Sequence, residues 1–233
     1  MTTEAGAEAG RDADALALVA PGADHTDAEA ALLDAGWTRC GAGDWAIALR
    51  SPDGRVAARI SPFDPVGAYN VALYREAAGT GQVPALFGHR RLAGGGDLQV
   101  MELLASVPEP EAVAFTQTVQ SSGGELLEVA HRLHDRLSRE LPWPGPLDFN
   151  PTNVMRRADG RLVMMDLFAL DGLSLYQTAE TDPDLFVVRF PEHERRFMAD
   201  IPIATTGGRQ EEQMAAIRSA VTAADARRLA QQP

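Results

Sequence analysis

The chain predicts a two-lobed α+β fold, a β-rich front part followed by a helical back part. Short runs of alternating apolar and polar residues, separated by turn chemistry, cluster before residue 104. A single helical pattern lies inside them, and from about Glu109 apolar residues recur at helical spacing. At 233 residues, 45% hydrophobic and 23% charged, the chain has the material for one substantial domain or two small lobes and an ordinary globular core.

Residues 1–26 are rich in Ala, Gly, Asp and Glu and predict a flexible N-terminal tail, with a weak helical tendency around Asp14–Ala20. Thr26 or Asp27 is a candidate N-cap for AEAALLDAG, a helix that stops at Gly36. WTRCGAGDWAIALR and RVAARISPF flank SPDG and read as a hairpin. VGAYNVALYREAAGTG follows Pro65 with helical periodicity, and ALFGHRRL and DLQVMELL then flank AGGGD as two further strands. A β-rich front lobe with one helix is thus expected over 27–104 and a helical lobe over 105–233.

In the back part, GELLEVAHRLHDRLSREL carries Leu126, Leu127, Ala130, Leu133, Leu137 and Leu141 on one stripe. LPWPGPLDFNPTNVM holds too many prolines for regular structure. Val154–Arg156 and RLVMMDL read as a second small hairpin about ADG, and the remainder is helical with breaks at Pro183, Pro191 and TTGG. Trp143 reads as a loop anchor, Cys40 as a small buried apolar residue, and His131 and His134 as packing residues rather than a metal pair.

All 21 basic residues are arginine. Without lysine there is no Walker A phosphate loop, no Schiff-base chemistry and no Ser-Lys hydrolase. The lone Cys40 excludes an internal disulfide and a Cys-x-x-Cys site. A net charge of −12 argues against nucleic acid as a partner. With no apolar run of membrane-spanning length and an acidic first segment unlike a signal peptide, no membrane association and a cytoplasmic location are expected. The sequence does not fix the oligomeric state.

The chemistry concentrates in Leu147-Asp148-Phe149-Asn150-Pro151-Thr152-Asn153-Val154 and in Val163-Met164-Met165-Asp166-Leu167-Phe168. A short hairpin can return Asp166 towards Asn153, and oxygen donors of this kind suit Mg²⁺. Asp148 is then left to accept a proton from a hydroxyl.

These motifs resemble the aminoglycoside phosphotransferase family of kinase-fold enzymes, whose loop typically reads H-G-D-L-H-P-G-N; Asp148, Pro151 and Asn153 match it. The resemblance runs from about Trp37 to Phe168. It implies a protein kinase-like fold, ATP and Mg²⁺ as cofactors, Asp148 as catalytic base, and Asn153 and Asp166 as metal ligands. It further implies Gly41 and Gly43 in a glycine-rich phosphate loop, and Arg59 where the family has its phosphate-binding lysine. Glu76 would pair with that position, and the backbone of Glu102, Leu103 and Leu104 would receive the adenine. The activity implied is transfer of the ATP γ-phosphate to a hydroxyl of a small molecule, such as a cationic aminoglycoside-like natural product.

Pro146 and Asn150 stand where the family has histidines, and Arg59 is not a conservative replacement for lysine. Only 67 residues follow Asp166, which leaves open a small pocket, a peptide groove or a site completed by another chain. The alternatives are a Ser/Thr kinase acting on a peptide, a nucleotide-binding pseudokinase or scaffold, and a carboxylate-based hydrolase. In plainer readings Glu76 is a surface helix charge, Arg59 an exposed strand residue, and Asp148, Asn153 and Asp166 turn or cap residues.

Overall fold

The computed structural model describes residues 15–202 and 211–231. Five strands, β1 (Thr38–Ala42), β2 (Ile47–Arg50), β3 (Val56–Ser61), β4 (Leu86–Arg91) and β5 (Asp97–Glu102), form one antiparallel sheet in the order β1-β2-β3-β5-β4. The inversion of β4 and β5 follows from helix α2 (Gly67–Glu76), which carries the chain from β3 past the place β5 takes. Alternation along the strands divides the sheet. Leu49, Ala58, Ile60, Leu98 and Val100 are buried against helix α1 (His25–Asp34) and the segment before it. Ala57, Arg59, Gln99 and Met101 occupy the alternate positions and face the other way.

The expected tail is corrected from residue 15 onward; residues 1–14 lie outside the described part. Ala15, Val19 and Ala23 are buried in the same cluster as Leu32 and Ile60. Arg90 donates to the Val19 carbonyl, and the Ala93 N–H donates to Ala23 O at 3.0 Å. Small side chains make this segment look like a linker in sequence, yet they are what lets its backbone lie close to the sheet. The N-cap of α1 is Asp24, not Thr26 or Asp27. Its carboxylate accepts from the Thr26 and Asp27 N–H groups while Asp27 returns to the Asp24 N–H, a reciprocal capping box.

The back part contains α3 (Glu109–Ser122), α4 (Glu125–Glu140), α5 (Gly172–Thr181), α6 (Pro183–Arg189), α7 (Glu192–Arg195) and α8 (Glu211–Ala230). The stripe on α4 is buried as expected, with Val129 added and Leu141 half-buried at the C-cap. The breaks at Pro183 and Pro191 fall between α5, α6 and α7; TTGG lies outside the described residues. The second hairpin is β7 (Val154–Arg156) with β8 (Leu162–Met164), and a two-residue strand, β6 (Ala105–Ser106), joins its edge. Strand β6 is too short to leave a periodic signal. Trp143 anchors its loop, with ring centroids 5.8 Å from Phe186 and 5.9 Å from Phe190. Cys40 is exposed on edge strand β1, not buried. Among the described residues no helix is long and apolar enough to cross a membrane.

Helix α2 joins the two parts. Its Tyr69, Leu73 and Tyr74 belong to the cluster that contains Leu133 and Leu137 of α4. The Tyr69 hydroxyl donates to Glu140 at 2.5 Å, and burial together with that carboxylate pushes its pKa up to about 12. A raised acid favours its neutral form in the folded state. Its contribution is therefore complete below the ordinary value of 10.0 and is lost as pH rises towards 12. Denaturation midpoints between about pH 9 and pH 11.5 are expected to fall more in the wild type than in Tyr69→Phe.

Candidate functional site

A cleft of about 690 Å³ separates the sheet from the helical part, within the usual size of a small-molecule site. Gly41, Gly43, Arg59, Glu102, Leu103, Leu104, Asp148, Asn153 and Asp166 all line it. Glu76 does not.

The loop that carries Asp148 is fastened at each step. The Nε2 atom of His134, from α4, lies 2.8 Å from Gly145 O, so this histidine pins the loop rather than a metal. Gly145 itself lies against the strand-like segment after Asp166, where an added Cβ would stand 2.9 Å from Ala169 O, so only glycine fits without displacement. The Asp148 N–H donates to Leu167 O at 2.9 Å. Asp148 Oδ1 accepts from the Asn150 N–H, and Asn150 Oδ1 in turn accepts from the Thr152 N–H, both at 3.0 Å. These Asx turns and Pro151 shape the one-turn 3₁₀ helix Pro151–Asn153. Asn153 Nδ2 then donates to Asp148 Oδ2 at 3.1 Å.

Asp166 reaches the same place from β8. The Met165 N–H donates to Asn153 O at 2.9 Å, which ties the segments of the two expected metal ligands directly together. Asp166 has φ +46°, left-handed and uncommon outside glycine. The Asn153 amide nitrogen is committed to Asp148, so its Oδ1 is the atom suited to a cation; with an Asp166 carboxylate it makes a hard oxygen set that fits Mg²⁺.

Arg59 is 12% exposed and sits between two carboxylates, with Nη1 2.8 Å from Asp64 Oδ2 and Nε 3.3 Å from Asp166 Oδ2. Both carboxylates hold the guanidinium firmly protonated despite its burial. Burial raises the Asp64 carboxyl above its ordinary value; Arg59 opposes the rise, and Asp97 and Asp166 add to it. The Arg59–Glu76 pair that the resemblance implies is therefore not formed. Glu76 is exposed and pairs with Arg132 of α4 at 2.5 Å. An exposed pair of this kind contributes below about 1 kcal/mol, so Glu76→Ala is expected to leave the melting temperature and nucleotide binding near wild type in a thermal-shift titration. Sequence reasoning did not single out Asp64, Asn70 or Tyr74. Their one signal is that polar Asn70 and Tyr74 recur at i, i+4 among apolar residues of α2.

Gly41 lies within β1 and Gly43 begins the β1–β2 turn, where Gly43 N–H donates to Ala46 O at 2.8 Å. An added Cβ would meet nothing closer than 3.9 Å at Gly41 and nothing within 4 Å at Gly43, so the protein's own packing does not require glycine at either position. Glu102 Oε1 accepts from the Ala85 N–H at 2.7 Å and Oε2 pairs with Arg157 at 3.0 Å, so its side chain fixes the connection between the two parts and leaves the backbone to line the cleft. Among the described residues, four aspartates, Asp44, Asp64, Asp148 and Asp166, line the cleft, with Arg59 as its one cationic residue. No protein-family model and no curated protein sequence matches the chain.

Proposed function

We propose that the protein is a kinase-like phosphotransferase that uses MgATP and transfers the γ-phosphate to a hydroxyl of a small molecule. The observation that carries this reading is the convergence of Asp148, Asn153 and Asp166, joined by the Asn153–Asp148 and Met165–Asn153 hydrogen bonds, at one end of a cleft whose sheet wall presents Arg59 and an uncrowded glycine turn. The sheet order, with a helix between its third and fourth strands, supports the kinase-like fold class.

In this reading Asp148 orients the acceptor hydroxyl and takes its proton as the oxygen attacks phosphorus. Its Oδ2 already accepts one hydrogen bond from Asn153, which fixes the carboxylate plane. Arg59 offers its Nη2 group to phosphate while Nη1 and Nε stay on Asp64 and Asp166. Asn153 and Asp166 hold Mg²⁺, which when bound neutralises phosphate charge during transfer. That charge matters here, since a bare triphosphate would enter a cleft lined by four aspartates and one arginine. Leu104, after the last strand of the sheet, has a backbone N–H with no protein acceptor among the described residues, suited to an adenine nitrogen.

One observation favours a second reading. Arg59 is closed onto two carboxylates, as suits a nucleotide-binding module without turnover. Phosphorus NMR of protein with MgATP and either polyhydroxylated amines or a serine peptide separates the outcomes. A new phosphate-monoester resonance with the small molecules is expected. A resonance with the peptide alone favours a Ser/Thr kinase, nucleotide binding without any product favours the binding module, and failure to bind nucleotide returns the site to a carboxylate hydrolase.

A further inference from the structure

The segment 165–168 is held on alternate sides. The Met165 N–H and the Leu167 carbonyl bond to the Asp148 loop, as described above, whereas the N–H groups of Asp166 and Phe168 turn to α2. The Asp166 N–H donates to the Tyr74 hydroxyl at 3.0 Å, and the Phe168 N–H donates to Asn70 Oδ1 at 3.3 Å. Asn70 and Tyr74 stand four residues apart on one helix face, so a single face of α2 captures both groups. The Tyr74 hydroxyl, in a side chain only 1% exposed, also lies 3.3 Å from Asp166 Oδ1 and donates to it. One hydroxyl thus engages both the backbone and the carboxylate of the residue that adopts φ +46°.

We propose that Tyr74, supported by Asn70, is the positioning residue through which helix α2 sets Asp166 for the metal, the coupling that Glu76 does not provide. This rests on the reading of Asp166 as a metal ligand. Two further groups hold that carboxylate or its neighbour: the Arg59 side chain holds Oδ2, and the Asn153 backbone carbonyl accepts from the Met165 N–H. Among the described residues only Tyr74 constrains the Asp166 N–H and Oδ1 together. Without it the carboxylate keeps the Arg59 contact and is free to turn about that bond. A partner that orients a ligand typically changes metal affinity by roughly 10- to 100-fold when removed.

The test compares wild type, Tyr74→Phe, Asn70→Ala and Tyr69→Phe by Mn²⁺ electron paramagnetic resonance in the presence of ATP, with melting temperatures recorded alongside. Tyr74→Phe keeps the packed ring and is expected to weaken Mn²⁺ binding roughly 10-fold or more. Asn70→Ala is expected to weaken it less, and reports on the same coupling where Tyr74→Phe does not fold. Tyr69→Phe removes a hydroxyl from the same helix away from the site and is expected to bind Mn²⁺ like wild type. Folded Tyr74→Phe and Asn70→Ala proteins with wild-type Mn²⁺ affinity overturn the inference alone. A wild type that binds no Mn²⁺ with ATP overturns it together with the phosphotransferase reading.

Discussion

Replacing Asp148 with alanine is expected to lower phosphoryl transfer by roughly 10²- to 10⁴-fold, the usual contribution of a positioned general base, with MgATP binding retained. Asparagine at this position is expected to do more damage than its isosteric shape suggests. Asp148 now accepts two hydrogen bonds, from the Asn150 N–H on Oδ1 and from Asn153 Nδ2 on Oδ2. In Asp148→Asn the atom facing Asn153 becomes an amide nitrogen, so two donors meet. The Asn153 amide relieves this by turning over, which gives its Oδ1 to residue 148 and points an NH₂ group at the cation site. Asp148→Asn should therefore lose transfer and metal affinity together, whereas Asp148→Ala loses transfer alone. Single-turnover rates with calorimetric MgATP binding on both variants separate the two effects. Unchanged transfer in either variant would remove Asp148 as the base.

The second large effect concerns stability. Asp64→Ala is expected to destabilise the fold by up to about 3 kcal/mol, the low end of the cost of breaking a buried pair, since the buried guanidinium then keeps only its longer contact with Asp166. The Asp64 side chain is 1% exposed and makes the shorter of the two Arg59 contacts. Its backbone is held independently, since Asp64 N–H donates to Gly95 O at 3.0 Å and Arg91 donates to Asp64 O at 2.6 Å. The loop therefore keeps its course, and the loss measures the carboxylate. Asp64→Asn retains a hydrogen-bond acceptor for Nη1 and should fall between wild type and alanine in urea denaturation; equal midpoints for all three would show that Asp166 alone suffices for Arg59. Arg59→Lys belongs to the same experiment. A lysine ammonium is a point charge on a flexible stem and cannot hold Asp64 and Asp166 through two fixed edges as the guanidinium does. Loss of stability on that exchange would mean that the absence of lysine has become built into this site.

Sequence patterns reported the elements well wherever one face of an element is buried along its length. The two hairpins, α2 and the α4 stripe all carry period-2 or period-3.6 signals strong enough to read. The irregular course of the loop was legible too, because Asp148, Asn150, Pro151 and Asn153 each answer a local demand of the turn they occupy. Partner choice was not legible. Which carboxylate meets Arg59 depends on the rotation of α2 about its axis, and the face that turns inward carries Asn70 and Tyr74. Glu76, two residues beyond Tyr74, lies about 200° further round and projects away from the cleft. Asp64 precedes the helix, on a connection whose path no periodicity describes. The segment after residue 15 was missed for a related reason: Ala15, Val19 and Ala23 are small and weakly patterned, and their burial depends on a sheet formed later in the chain.

In the proposed function this acidic cleft accepts ATP only with a divalent cation held by Asn153 and Asp166. Calorimetric titration of ATP into the wild-type protein, once with Mg²⁺ and once with EDTA, tests it most directly. Saturable binding with Mg²⁺ and none in EDTA is expected. Equal binding in both, or none in either, would contradict it.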